Sequence, residues 1–168
     1  MNISPAHLHL ILNHIPIIGT GFVAVMLFIA IAYRNFFMEK VSLLFLVATA
    51  LTTAIVFKTG DGTAAAVQNL PGVSQQSILA HASAARIGLV LMFIIGCVSL
   101  GGLVYFRKSD KLPRMYVFVV FALTVISTAV FIWIGYLGGQ IMHSEIRQQS
   151  FIAAPVIASA VSGIIAGW

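Results

Sequence analysis

Long uncharged runs separated by short polar segments make up most of this chain. Four runs of apolar residues stand out, at 8–33, 41–57, 78–106 and 115–142. About 20 consecutive apolar residues are enough for a helix to cross the hydrocarbon core of a bilayer. Lysines flank the second run, and their long side chains reach the polar interface from such positions. The pattern predicts an all-α fold, an integral membrane four-helix bundle within residues 1–150.

The polar segment between the second and third runs predicts two turns. Glycines interrupt residues 58–62, and a proline followed by a glycine opens residues 71–74. We expect a short amphipathic helix at 63–69 between these turns. Residues 74–77, from Ser74 to Ser77, offer an N-cap region for the third long helix.

The last segment of the chain, 151–168, is apolar but contains Pro155 and ends without flanking charge. Three arrangements are open for it: a fifth membrane helix, a helix that lies against the bundle, or a partly inserted segment. The sequence therefore predicts four spans and leaves a fifth C-terminal span undecided.

Composition agrees with a membrane protein and excludes several classes. The 168 residues are 60% hydrophobic and 8% charged, with a mean hydropathy of +1.05, whereas a soluble domain of this length needs a largely polar surface. The single cysteine, Cys97, excludes a disulfide within one chain and a zinc–thiolate cluster. In a membrane protein, a net charge of +5 mainly reflects the orientation of the chain in the membrane, and it does not indicate nucleic-acid binding.

Two connections carry most of the positive charge. Residues 34–40 and 107–114 contain six of the nine lysines and arginines, and four successive crossings place both connections on one side. The positive-inside rule makes that side cytoplasmic. We therefore expect a multi-pass protein of the bacterial inner (cytoplasmic) membrane with its N-terminus outside.

All the histidines fall on the opposite, periplasmic side: His7, His9, His14, His81 and His143. Histidine is scarce inside membranes and is a usual nitrogen ligand of haem iron. His7 and His14 lie about 10 Å apart along one helix, so they cannot both hold one iron from that face. We expect axial pairing across helices, of His14 with His81 or with His143, and Arg86 is placed to bind a haem propionate.

Glycines on three helices offer flat surfaces to a porphyrin, namely Gly19, Gly21, Gly88, Gly135, Gly138 and Gly139. The same glycines also suit close packing between helices. In that alternative the histidines bind only headgroups, loop carbonyls or water, and Arg86 forms an ion pair with Asp61 or Glu145.

Copper is a weaker alternative to haem. His7 and His9, together with His14 or His143, offer nitrogen donors that face an oxidising compartment. No spacing among these residues is diagnostic of a copper site.

Three short motifs occur in a defined order along the chain. They are HLHLILNHIP at 7–16, LPGVS at 70–74 followed by His81, and GYLGGQ at 135–140 followed by His143. Together they resemble a bacterial membrane-protein family catalogued as domain of unknown function 2231. The resemblance implies four helices, recurring histidines at His14, His81 and His143, and haem-type electron transfer. Family members are expected to have a more acidic connection before His81 than this chain, which favours the helix histidines over the loop.

The first hypothesis is a haem b-binding electron-transfer subunit with no substrate chemistry of its own. Its partners would be the lipid bilayer, other membrane subunits, and a periplasmic cytochrome or a quinone. The alternative is a non-catalytic accessory subunit that stabilises a larger membrane complex, because almost nothing projects from the bilayer to act alone.

Overall fold

The computed structural model describes residues 4–143, and these residues form helices without any strand. The helices are α1 (Pro5–Leu12), α2 (His14–Tyr33), α3 (Phe36–Val67), α4 (Gln75–Tyr105) and α5 (Arg114–Met142). Four spans are long and apolar enough to cross a membrane, which confirms the all-α four-helix membrane bundle. The segment 151–168 and Glu145 lie outside the described residues.

The four long helices form a ring in which each packs against two neighbours. Helix α2 contacts α3 and α5, and α4 contacts the same two helices. Helices α1 and α2 together make one span, Ala6–Tyr33, which is interrupted at Asn13. The interruption follows from Pro16, whose nitrogen has no hydrogen to donate to the Leu12 carbonyl. Helix α1 packs against the second half of α3.

The two ends of the bundle differ in chemistry. We call the end formed by 34–40 and 107–114 the basic end, because it carries six of the nine cationic residues. The opposite end, at which His9 and His81 lie, is the histidine end. Helix α3 has 32 residues and is about 48 Å long, so it exceeds the roughly 30 Å hydrocarbon core. Its final turns therefore extend beyond the apolar layer.

The predicted turn at 58–62 is wrong, because α3 continues as a helix to Val67. Thr59 and Thr63 each donate a hydroxyl hydrogen to a carbonyl of the preceding turn, at 2.8 and 3.0 Å. Helix α1 packs along the same stretch. Tertiary packing here outweighs the low helix propensity of Gly60 and Gly62. The predicted cap is confirmed, since the Ser74 hydroxyl accepts a hydrogen bond from the Ser77 amide at 3.4 Å.

The interior of the bundle is apolar but contains a series of buried hydroxyls. Two hydrophobic clusters fill it, one around Leu27 and Leu46 near the basic end and one around Met92 and Phe131 nearer the histidine end. The buried polar residues are Thr20, Ser42, Thr49, Thr53, Ser99, Thr124 and Ser127. Large apolar side chains face outward along all four spans, as lipid contact requires.

Candidate functional site at the histidine end

His81 joins α4 to α5. Its Nδ1 lies 3.1 Å from the Ile134 carbonyl oxygen, and its side chain is half-buried. A Cβ on Gly138 would lie 3.1 Å from the His81 Cε1 atom, which is tighter than ordinary van der Waals contact. The missing side chain at Gly138 therefore leaves the ring room to reach the carbonyl one turn earlier.

His9 joins α1 to α3 in the same manner. Its Nδ1 lies 2.9 Å from the Val56 carbonyl oxygen and 3.2 Å from the Thr59 hydroxyl oxygen. Gly60, four residues after Val56, faces the His9 ring. Both histidines thus bind a helix carbonyl whose fourth following residue is a glycine.

The carbonyl partners fix the proton position on both rings. A carbonyl oxygen only accepts hydrogen bonds, so the Nδ1 atoms of His9 and His81 must carry the hydrogen. In the neutral imidazole, Nε2 then has a free lone pair. Within residues 4–143, neither Nε2 has a hydrogen-bond partner.

A third contact of the same type lies near the basic end. The Tyr116 hydroxyl donates to the Val98 carbonyl oxygen at 2.9 Å, and Gly102, four residues further on, faces that hydroxyl. A helix carbonyl has two lone pairs, and its own helix uses only one of them. A glycine in the following turn leaves the second lone pair accessible to a neighbouring helix.

The other histidines lie apart from this pair of contacts. His14 is exposed and lines a groove of about 350 Å³ between α2 and α3, beside Phe22, Phe45 and Thr49. His7 is exposed on α1, and His143 is exposed at the end of α5. The pairing of His14 with His81 or His143 stays a prediction.

Arg86 is exposed on α4. In the described part of the chain no ion pair joins it to Asp61, and Glu145 lies outside that part. Among residues 4–143, no group of three or more His, Cys, Asp or Glu side chains is placed to hold a metal ion. The histidines proposed as copper ligands therefore do not form a group of three within the described residues.

The glycines chosen as porphyrin surfaces mostly face protein side chains. A Cβ on Gly88 would lie 2.7 Å from Ile134 Cδ1, and one on Gly135 would lie 3.0 Å from Ile17 Cδ1. Gly139 is the exception in this set, because a Cβ added there would have no described atom within 4 Å. Close helix packing accounts for most of them.

Two features of the histidine end still suit a bound group. The Asn13 Oδ1 atom is buried and has no hydrogen-bond partner among the described residues, which leaves an acceptor in need of a donor. The two Nε2 lone pairs are the donor atoms that haem iron takes in bis-histidine coordination. The histidine end therefore offers imidazole nitrogens of the type that haem iron binds.

Comparison with protein-family models, curated proteins and solved structures finds no match. The resemblance drawn from the three sequence motifs stays a prediction. The functional argument therefore rests on the geometry of the chain itself.

Proposed function

We propose that this protein is a haem b-binding electron-transfer subunit, in which His9 and His81 would hold the haem at the histidine end. One observation carries the proposal. Both rings donate Nδ1–H to backbone carbonyls, and neither Nε2 atom has a hydrogen-bond partner within residues 4–143. Metal-bound histidines are typically held in this way, because the second hydrogen bond fixes the ring orientation and raises the basicity of the ligating nitrogen.

In this proposal, the protein would position the two histidine rings and surround them with apolar residues. Helices α3 and α5 hold the two rings through carbonyls about 30 Å from the basic end, close to the edge of the hydrocarbon core. The apolar cluster of Ala84, Phe131 and Ile134 beneath them excludes water. A haem in this position supplies reversible one-electron chemistry.

Orientation and partners follow from the same proposal. By the positive-inside rule, the six cations of the basic end favour a cytoplasmic location for that end. The histidine end then faces the periplasm of a bacterial inner membrane, where a cytochrome, a quinone or another membrane subunit would exchange electrons with it. His14 and His143 remain further candidates for a ligand role, and Arg86 for a propionate contact.

A second candidate function is a non-catalytic accessory subunit, which a specific observation favours. The described histidine contacts and glycine contacts all serve to join helices, as at Gly88 and Gly138. In that role the large outward-facing apolar surface would pack against other membrane subunits.

Haemin titration of the purified apoprotein tests the proposal. We expect His81→Ala and His9→Ala each to abolish tight binding, and the exposed His7→Ala to leave it unchanged. Gly138→Ala should weaken binding about tenfold, because it displaces the His81 ring without removing a ligand. Its matched control is Gly139→Ala, whose Cβ would have no described atom within 4 Å. Equal haemin affinity in all of these variants would refute the ligand assignment and favour the accessory role.

A further inference from the structure

A charged pocket lies at the basic end, far from the histidine contacts. It has a volume of about 310 Å³ and is lined by residues from the end of α2, the start of α3, the α4–α5 connection and the start of α5. Three cationic side chains line it, Arg34, Lys111 and Arg114, with Glu39 and Asp110 beside them. The lining therefore carries a net positive charge.

Of these three cations, Arg114 contacts other pocket residues, since its Cζ lies 5.9 Å from the centroid of the Phe118 ring and its charge attracts the Glu39 carboxylate. In the described part of the chain, no salt bridge is formed by Arg34, Lys111 or Arg114. Lys40 shows the contrast, because its Nζ atom lies 3.5 Å from the Arg107 and Ser109 carbonyl oxygens and so joins α3 to the α4–α5 connection. The pocket cations are exposed and available to an anion.

The start of α5 adds further donors to the pocket. Pro113 precedes Arg114, and no side chain caps the helix there. The first backbone N–H groups of a helix have no partner within it and carry partial positive charge, which favours a phosphate nearby. Arg114 therefore brings both its guanidinium group and an uncapped helix terminus to the pocket.

The rest of the lining is apolar, which distinguishes a lipid from a free anion. Ile31, Phe36, Leu112, Val117 and Phe118 form this part of the pocket, and Phe118 is exposed on the outer surface of α5. A free phosphate gains nothing from such walls, whereas the glycerol and first acyl carbons of a phospholipid bury apolar surface against them. The pocket also lies at the end of the spans, the depth of lipid headgroups.

We propose that this pocket binds the phosphate headgroup of an anionic phospholipid, with Arg34, Lys111 and Arg114 as its cationic contacts and the apolar wall around Phe118 as the seat of its upper acyl chains. The inference does not depend on haem binding. A lipid bound in this pocket would hold the basic end at one leaflet through a defined site. This contact would add to the general attraction between basic loops and anionic lipids.

Native mass spectrometry of the full chain in neutral detergent, titrated with phosphatidylglycerol, tests this site. We expect one tightly bound lipid, and a dissociation constant about tenfold higher in Lys111→Gln or Arg114→Gln, as the loss of a charge-assisted hydrogen bond requires. Lys108→Gln is the matched control, since Lys108 belongs to the same basic end but does not line the pocket. It should change the dissociation constant by less than about threefold.

Three outcomes would overturn the proposal. Equal losses of phosphatidylglycerol affinity in the Lys111 and Lys108 variants would mean that only the general positive charge of the basic end attracts lipid. Equal affinity for phosphatidylcholine would remove the requirement for an anionic headgroup, and complete displacement by inorganic phosphate would indicate an anion site without lipid contacts. Lys111 is exposed in the α4–α5 connection, so its substitution leaves folding intact and keeps the test valid if the Arg114 variant unfolds.

Discussion

At the scale of single residues, the buried hydroxyls of the bundle fall into two groups. Most donate to a carbonyl of the preceding turn of their own helix, as Ser42 does to the Met38 oxygen at 2.8 Å. Ser99 and Ser127 are fully buried and have no hydrogen-bond partner within residues 4–143. An unpaired hydroxyl in an apolar interior costs free energy, whereas a paired one does not.

The same substitution should therefore have opposite effects at two buried serines. We expect Ser127→Ala to leave the free energy of unfolding unchanged or to raise it by up to about 1 kcal/mol, because it removes an unpaired polar group. Ser42→Ala should lower it by about 1 kcal/mol through the lost hydrogen bond. Unfolding in a titration with denaturing detergent, followed by circular dichroism, measures both. A larger loss at Ser127 than at Ser42 would contradict this account.

Two adjacent glycines of α4 offer a second matched pair. A Cβ on Gly102 would overlap the Tyr116 hydroxyl and displace it from the Val98 carbonyl, whereas a Cβ on Gly101 would enter open space. We expect Gly102→Ala to lower the free energy of unfolding by about 1–3 kcal/mol, and Gly101→Ala to cause no loss. Thermal unfolding of the two purified variants decides between them. Similar stability would show that the Tyr116 contact is dispensable.

At the scale of helices, the ends of the elements are harder to predict than their centres. The apolar runs locate all four spans, because lipid contact requires mostly apolar residues along a membrane helix. The continuation of α3 through Gly60 and Gly62 is not predicted, since it depends on packing by α1 and not on local sequence. The link from His9 to Val56 escapes prediction for the same reason: spacing along one helix does not reveal which neighbour it faces.

The last turns of α3 should depend on His9. We expect His9→Ala to increase amide hydrogen exchange in the final turns of α3, after Val56, because the ring is a main polar link between α1 and α3. His7→Ala removes an exposed ring from the same helix and should leave exchange unchanged. Exchange measured by mass spectrometry on peptides of α3 tests the difference. Unaltered protection in the His9 variant would mean that apolar packing alone holds this segment.

At the scale of the whole molecule, the bundle separates two chemically different ends by the thickness of a membrane. The sequence predicts both the charge asymmetry and the gathering of histidines, since each follows from the order of spans. The sequence does not predict which histidine rings are held by hydrogen bonds to a neighbouring helix. The signal is present as glycines four residues after Val56 and Ile134, but it is readable only once the facing helices are known.

The single cysteine makes the orientation simple to test. In a Cys97→Ala background, we expect Ser109→Cys to react with an impermeant maleimide only in inside-out vesicles, because the proposed orientation places the basic end in the cytoplasm. Ser74→Cys, in the connection at the histidine end, should react only in right-side-out vesicles. Labelling of both positions from the same side would contradict the four-span arrangement.

The central claim, that His9 and His81 hold a haem at the histidine end, is tested most directly by a reduced-minus-oxidised visible spectrum of the protein purified from its membrane. We predict a b-type band in the wild type and in His7→Ala, and its loss in both His81→Ala and His9→Ala. A flat spectrum from folded wild-type protein, or a band that survives in both ligand variants, would contradict it.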